Sequence, residues 1–311
     1  AYRRQRQMCI RDRLCISKLN ESNYKHKKRM TMRLKMYLLA GAFGVSALAL
    51  QSCNDDDNGM TVPTELQNAL LEKHGDALRI EWGKKGVYYV ADFDEGNYEK
   101  EAWFTPDGVW QMTETDIPNI AALPAPVKSA FESSEYASWH VDDIDKLERK
   151  DMETVYVIEV EQGKQEVDLY YSENGILIKE VVEAGDNHDS EDYLPSALSA
   201  TIKEFIAREY PNARIVEMDS ERGRMEVDII HDNKSKELLF SAEGEWISTS
   251  WDVRIADVPE LVKSAALAKY PGYVIDDAEY VETPAGDYYL IEMEKGEAEV
   301  HVKVTEEGTV L

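Results

Sequence analysis

An internal repeat constrains the fold of this chain more than any other feature of its sequence. Each of four segments begins with an apolar residue followed by proline: Val62-Pro63, Leu123-Pro124, Leu194-Pro195 and Val258-Pro259. The residues that follow have the apolar spacing of an amphipathic helix, as Leu198, Ile202 and Ile206 show in the third segment. Proline suits the first turn of a helix because its missing N–H has no helical partner there. The chain therefore has four predicted helices, and Tyr210-Pro211 and Tyr270-Pro271 end the last two.

Two or three segments of alternating apolar and polar residues follow each helix, as expected of strands with one buried face. The last two segments of each unit are joined by a tight turn that ends in glycine: Asp107-Gly108, Asn174-Gly175, Glu243-Gly244 and Glu307-Gly308. Glycine supplies the positive φ that such hairpins require. Each unit of about 60 residues is thus predicted to be one helix followed by an antiparallel β-meander.

A second period of about 135 residues overlies the first. Phe104, Gly108 and Trp110 recur as Phe240, Gly244 and Trp246, and the sequence Val127–Ala130 recurs as Val262–Ala265. The duplicated ancestor was therefore a pair of units, which is physically sensible because one short unit buries little surface.

The two periods together predict an α+β fold of tandem repeats, with the helices on one face of the sheets. The first module spans residues 62–184, with units 62–117 and 123–183. The second spans residues 194–311, with units 194–253 and 258–311. Residues 185–193 are polar and form the predicted linker.

The Leu-Pro…Tyr-Pro helix, the alternating strands and the late Asp/Asn-Gly hairpin resemble PepSY-like domains, which include the β-lactamase-inhibitor-like lipoproteins of Bacteroidetes. The resemblance covers nearly all of residues 62–311. It implies tandem α/β units whose helices cover one sheet face and leave the other open. PepSY domains are linked to protease propeptides and their inhibition, and the β-lactamase inhibitor of this architecture holds an enzyme across its open sheet. No inhibitory loop matches residue by residue, so the resemblance supports the fold more than a function.

The first 52 residues resemble an export signal that follows a segment of another origin. Residues 1–31 are basic and unpatterned and are interpreted as a non-native or untranslated upstream segment, with a genuine basic arm as the alternative. Within residues 32–52, Arg33 and Lys35 precede the apolar run Leu38–Leu50. This run is too short to span hydrocarbon about 30 Å thick. It is typical of a lipoprotein signal peptide.

Cys53 is the predicted site of lipidation. Leu50-Gln51-Ser52-Cys53 resembles a bacterial lipobox, although Gln51 stands where a small residue is usual. Cleavage before Cys53 leaves a protein whose sole cysteine is its first residue, which fits a lipid anchor better than a structural thiol. Cleavage elsewhere, leaving a stray cysteine, is the alternative.

The acidic tether, residues 53–61, resembles the surface-export signal of Bacteroidetes lipoproteins or serves as a plain spacer. The expected location is the outer membrane, with the body facing the periplasm or the outside of the cell.

The charge of the body excludes one class of partner. Residues 1–52 hold 12 basic and two acidic side chains, so the remaining 259 residues carry 23 basic and 59 acidic side chains. A body this acidic is repelled by phosphate backbones, which argues against a nucleic-acid-binding protein. It favours basic patches on a protein partner and a salt-sensitive association.

No catalytic motif stands out. The sequence has no G-x-S-x-G and no phosphate-binding glycine pattern, and the histidines of the body are scattered singly: His74, His140, His188, His231 and His301. We therefore predict a non-enzymatic protein without a cofactor. The open alternative is a calcium- or small-ligand-binding protein of the periplasm or cell surface. Calcium is considered because Asp92–Gly96 and Asp186–Asp192 are oxygen-rich; neither has the EF-hand order, so each is also interpreted as a solvated acidic loop.

Aromatic residues suggest a binding face. Counting from the hairpin glycines places Phe104, Tyr171, Phe240 and Val304 on the face that packs under the helices. The same counting places five apolar residues on the opposite face: Trp103, Tyr170, Leu239, Ile247 and Trp251. Exposed apolar patches usually mark contact surfaces, and Trp and Tyr are frequent anchors. We predict that these residues bind a protein partner and leave open whether binding inhibits it; the alternative is that the two modules or their helices cover them.

Overall fold

The computed structural model of the chain describes residues 60–183, 193–221 and 223–311. The predicted signal peptide and Cys53, together with nearly all of the predicted linker, lie outside these residues. The chain folds first through α1 (Thr64–Lys73), β1 (Leu78–Lys85), β2 (Tyr88–Glu95), β3 (Tyr98–Phe104), β4 (Trp110–Asp116), α2 (Ala125–Ser133), β5 (His140–Arg149), β6 (Val155–Gln162), β7 (Gln165–Ser172) and β8 (Leu177–Glu183). It continues through α3 (Ala200–Glu209), β9 (Arg214–Glu221), β10 (Arg224–His231), β11 (Lys234–Ser241), β12 (Trp246–Asp252), α4 (Glu260–Lys269), β13 (Val274–Glu282), β14 (Tyr288–Lys295) and β15 (Ala298–Val304).

The strands form two antiparallel sheets in which neighbours in the chain are neighbours in space. The first sheet contains β1 to β8 in order, and the second contains β9 to β15 in order. The predicted α+β fold, with helices on one face of each sheet, is confirmed. None of the helices in the described ranges is long and apolar enough to cross a membrane.

The helices begin and end where proline and tyrosine were expected to place them, with one exception. Pro63, Pro124 and Pro259 are the N-caps of α1, α2 and α4. Helix α3 begins later than Leu194-Pro195, because Ser199 caps it by accepting a hydrogen bond from the N–H of Ile202. Tyr210 closes α3 just before a proline, as predicted.

In three of the four units, a β-bulge follows the predicted hairpin turn. Gly108, Gly175 and Gly244 have φ of +84°, +77° and +83°. Phe240 pairs with Trp246, whereas the preceding residue, Leu239, pairs with Ser248. One residue, Ile247, is therefore extra, and the alternation of side chains between the faces restarts after it. The same shift occurs in β4 and β8.

One apolar cluster lies between each helix and its part of a sheet. Under α1 and α3, the buried side chains include Leu66 with Phe104 and Ile206 with Phe240. Under α2 and α4, they include Phe131 with Tyr171 and Val262 with Val304. The face counted as the core face from the hairpin glycines is therefore the helix face of both sheets.

A fifth cluster joins the two sheets. Val216 and Ile230, from the second sheet, pack with Trp103, Leu147 and other side chains on the face of the first sheet that carries no helix. Beside this cluster, Arg149 Nη1 donates to both carboxylate oxygens of Glu217, at 2.8 and 2.9 Å. Arg149 Nη2 donates to the carbonyl of Val216 at 2.6 Å. The second sheet thus covers part of the open face, the side away from the helices, of the first sheet.

Candidate functional site

Trp103 and Tyr170 do not form an exposed patch, so the prediction that they are exposed on an open binding face is wrong. Trp103 is fully buried and Tyr170 is 6% exposed, because Val216, Ile230 and Tyr193 pack over them. Trp103 Nε1 donates a hydrogen bond of 2.6 Å to Glu101, which satisfies its polar atom. At both positions the second module covers the side chain, which is the alternative stated above.

Trp251 lies on the helix face of the second sheet, so its predicted position on the open face is also wrong. The bulge at Ile247 reverses the alternation along β12, which counting from Gly244 could not anticipate. Trp251 pairs across the strands with Tyr280, at a ring separation of 5.0 Å, and Lys236 Nζ lies 4.0 Å from the centre of its ring. All three side chains are partly buried.

Leu239 and Ile247 are the two predicted residues that remain partly exposed away from the helices. Leu239 pairs with Glu226 on one side and with Ser248 on the other. Their neighbours on the open face are polar or acidic, so the two residues do not continue into an apolar patch.

Carboxylates are what the open faces share. Each of the four units places three acidic or imidazole side chains directly opposite one another across three neighbouring strands. These four acidic rows are Glu81–Asp92–Glu101, Asp143–Glu159–Asp168, Glu217–Asp228–Glu237 and Asp277–Glu292–His301. Like charges directly opposite on a sheet destabilise it. A feature that costs stability in every repeat is a candidate for function.

In the first sheet, burial raises the pKa of carboxyl groups within and beside these rows. Burial, together with the charges of Glu114 and Asp143, raises the pKa of Asp145 to about 9. Burial and the neighbouring Glu166 raise the pKa of Glu159 to about 8. Tyr193 lies near Asp145 and Asp168, and burial raises the pKa of its hydroxyl.

The open face of the second sheet has the same character. Burial raises the pKa of Asp228 well above its usual value, and burial with the charge of Glu226 raises the pKa of Glu237 to about 8. Burial raises the pKa of Glu279 to about 7. Glu217 differs: burial opposes its ionisation, but Arg149 and Lys179 lie close enough to lower its pKa overall.

Three groups of described residues bring ligand atoms within 4.8 Å of one another: Glu226–Asp228–Glu237, Glu292–Glu299–His301 and His140–Asp142–Glu161. The last group is exposed throughout, and only the first contains a buried member. In the oxygen-rich segment Asp92–Gly96, two carboxylates already have basic partners: Asp94 pairs with Arg79, and Glu95 pairs with Lys100. The other predicted calcium loop, Asp186–Asp192, lies outside the described residues.

Polar networks on the helix side hold the ends of α1 and α3 to the sheets. His74 contacts Glu95 and the Thr113 hydroxyl, each at 3.0 Å, and burial lowers its pKa. At the equivalent end of α3, the Tyr210 hydroxyl donates to Thr249 at 2.8 Å. Thr113 and Thr249 are fully buried, so these two hydroxyls anchor the helix ends in the interior.

The acidic rows were within reach of sequence reasoning. Sorting the aromatic residues by strand alternation identified a second face, and sorting the acidic residues in the same way would have placed Glu159, Asp168 and Glu237 there. The general abundance of acidic residues concealed this regularity. The covering of Trp103, by contrast, has no local signal.

Comparison with known proteins identifies relatives for both halves of the chain. Residues 87–179 and 225–311 match the family model described as "Putative beta-lactamase-inhibitor-like, PepSY-like". No curated protein matches the sequence.

Solved structures give partial matches. A BLIP-like protein from Bacteroides fragilis is 43% identical, covering 43% of this chain and 97% of its own, with a TM-score of 0.40. A DUF2874 family protein from Bacteroides ovatus is 32% identical, covering 40% of this chain and 89% of its own, with a TM-score of 0.38. A protein from Bacteroides eggerthii described as periplasmic is 26% identical, covering 40% and 90%, with a TM-score of 0.37.

Proposed function

The chain belongs to the putative β-lactamase-inhibitor-like, PepSY-like family, and we propose that it is a non-enzymatic envelope protein that binds a basic protein partner through its acidic open faces. The observation that carries this proposal is the acidic row, which recurs in all four units at the same cross-strand position. Rows of one charge attract a partner of opposite charge and speed its encounter.

The second sheet offers the accessible surface for this contact. Asp252 and Glu299 are exposed at positions that alternate onto its open face, whereas Asp168 on the first sheet is 1% exposed. Lysine or arginine side chains of the partner would lie against carboxyl groups whose pKa is raised, and their charge would favour ionisation. Binding should therefore release protons and strengthen as the pH rises.

Attachment to the envelope is a second part of the proposal. Cys53 follows a predicted signal peptide and precedes an acidic tether, and the similar protein from Bacteroides eggerthii is described as periplasmic. A lipid anchor at Cys53 would hold the folded body near the outer membrane. Metabolic labelling with an alkyne fatty acid should mark the wild type, while Cys53→Ala should be unlabelled and released into the soluble fraction.

Affinity capture from envelope and secreted fractions tests the partner proposal. The wild type should retain one protein specifically, and about 0.5 M salt should release it. The double variant Asp252→Lys/Glu299→Lys should lose the capture, whereas Glu306→Lys/Glu307→Lys, with the same charge change in the last hairpin turn, should keep it. Equal capture by both variants would contradict the proposal.

Inhibition is the consequence to measure once a partner is known. The family description names an inhibitor, and the proposal extends this activity to the chain. If the captured protein is an enzyme, saturating amounts of the wild type should reduce its turnover, and Asp252→Lys/Glu299→Lys should not. Full turnover with the partner bound would limit the function to binding.

A further inference from the structure

The strongest unassigned feature is a carboxylate cluster between β10 and β11 on the open face of the second sheet. Asp228 lies directly opposite Glu237, and Glu226 precedes Asp228 by two residues on the same face. One oxygen from each of the three side chains lies within 4.8 Å of the others.

Asp228 distinguishes this cluster from the other acidic rows. It is 6% exposed, and among the residues that the structure describes none donates a hydrogen bond to it or forms an ion pair with it. Its row neighbour Glu217 is satisfied by Arg149, so Asp228 is left facing Glu226 and Glu237. A buried carboxylate without a partner is unfavourable, and it becomes favourable when a cation is bound beside it.

We propose that Glu226, Asp228 and Glu237 bind one divalent cation of the calcium class. Oxygen atoms that surround a common centre at about 2.4 Å lie at most about 4.8 Å apart, and calcium binds oxygen at about 2.3–2.6 Å. Three carboxylates suit a hard cation, and water molecules complete its coordination from the exposed side of Glu226 and Glu237.

The other two groups of ligand atoms are less suited to such a cation. Glu292–Glu299–His301 contains an imidazole, which hard cations disfavour. His140, Asp142 and Glu161 are all exposed, so water satisfies them without a metal ion.

Lys179 of the first sheet is the natural competitor for the site. Its Nζ lies 3.7 Å from a carboxylate oxygen of Glu217, and its charge acts on both Asp228 and Glu237 by favouring their ionised forms. A metal ion would be repelled by this ammonium group. Lys179→Met should therefore tighten cation binding rather than weaken it.

Calorimetric titration of the purified protein with calcium chloride alone, near neutral pH and after treatment with a chelator, tests the proposal. We expect one calcium ion per chain with a Kd at or below about 1 mM. Asp228→Asn and Glu237→Gln should each weaken binding at least about tenfold, and Lys179→Met should tighten it at least about threefold.

Glu292→Gln is the matched control, because Glu292 occupies the position of Asp228 in the fourth unit. It should retain the affinity of the wild type. Loss of binding in Glu292→Gln with retention in Asp228→Asn would overturn the assignment, as would the absence of binding at about 10 mM calcium.

Thermal melting separates a lost site from a lost fold. In EDTA, Asp228→Asn should melt no lower than the wild type, because the amide, unlike an ionised carboxylate, places no charge at this buried position. Calcium should raise the Tm of the wild type and leave that of Asp228→Asn unchanged; an equal rise in both would also overturn the site. Because no partner protein is present, failure here leaves the proposed partner binding standing.

Discussion

At the scale of the residue, the same aromatic side chain has different roles on the two sides of a sheet. Trp103 is fully buried beneath the second sheet, whereas Trp251 is partly exposed on the helix side and packs against Tyr280 and Lys236. Alternation along a strand reports which side a residue faces, but not what covers that side. How much each tryptophan contributes to the free energy of unfolding therefore depends on the residues that pack over it.

Truncation of the two tryptophans should distinguish these environments. Trp103→Ala should lower the free energy of unfolding by about 3–5 kcal/mol, because it leaves a cavity in the cluster between the sheets. Trp251→Ala should cost about 1–2 kcal/mol, since part of its surface is already in water. Urea unfolding measures both values, and similar losses would show that the cover over Trp103 is absent in solution.

At the scale of the element, the hairpin turns position the helices as well as the strands. Gly175, in the turn before β8, lies against α2: a Cβ at this position would be 2.7 Å from the carbonyl carbon of Pro126. Gly163, between β6 and β7, has a similar φ of +72° but open space around it. The two glycines share a conformational requirement and differ in their packing.

Alanine substitutions separate conformation from packing at these turns. Gly163→Ala should cost about 1–2 kcal/mol, the penalty of a left-handed conformation for an L-residue. Gly175→Ala should cost at least about 1–3 kcal/mol more, because α2 must move away from the turn. Equal losses of stability in the two variants, measured by urea unfolding, would show that α2 does not rest on the Gly175 turn.

At the scale of the whole molecule, stacking of the second sheet on the first brings carboxyl groups of both sheets into a common acidic region. Arg149 and Lys179 of the first sheet pair with Glu217 of the second, and apolar side chains close around them. A buried pair of this kind contributes little net stability, but removing one partner is costly. Carboxyl groups near this contact are removed from water, and the basic side chains there are too few to pair with each of them.

The stability of the protein should therefore fall as the pH rises through neutrality. The folded-state pKa is raised to about 9 for Asp145 and about 8 for Glu159 and Glu237, from ordinary values near 4. Between pH of about 4.5 and 8 the folded state holds protons that the unfolded state has lost, so raising the pH favours unfolding. In EDTA, the Tm should drop by at least about 5 °C across this window and level off above about pH 9.

Neutral replacements provide the control for this pH dependence. Asp145→Asn/Glu159→Gln should flatten the decline of Tm, because both side chains stay uncharged at every pH. Glu217, whose pKa is lowered, acts in the opposite sense and only in acid, where its protonation costs stability. A Tm that is constant or rises between pH 5 and 8 would contradict the protonated state of these carboxyl groups.

The sequence by itself determined the features that depend on near neighbours in the chain. Proline marked the start of α1, α2 and α4, and tyrosine before proline marked the end of α3 and α4. Glycine with positive φ marked the hairpins, and the alternation of Phe104 and Phe240 identified the helix face. These signals are local because helix ends and tight turns are decided by a few consecutive residues. The doubled period likewise predicted two similar sheets.

Only the tertiary structure decided which surfaces stay open. Burial of Trp103 depends on Val216 and Ile230, more than a hundred residues away in the chain, and the position of Trp251 depends on a bulge set by pairing with β11. Likewise, Asp228 and Glu237 become a cluster only when two strands align their register. Contacts between distant segments leave no periodic pattern in the sequence. The open face was therefore expected to be aromatic, and the structure shows that it is acidic.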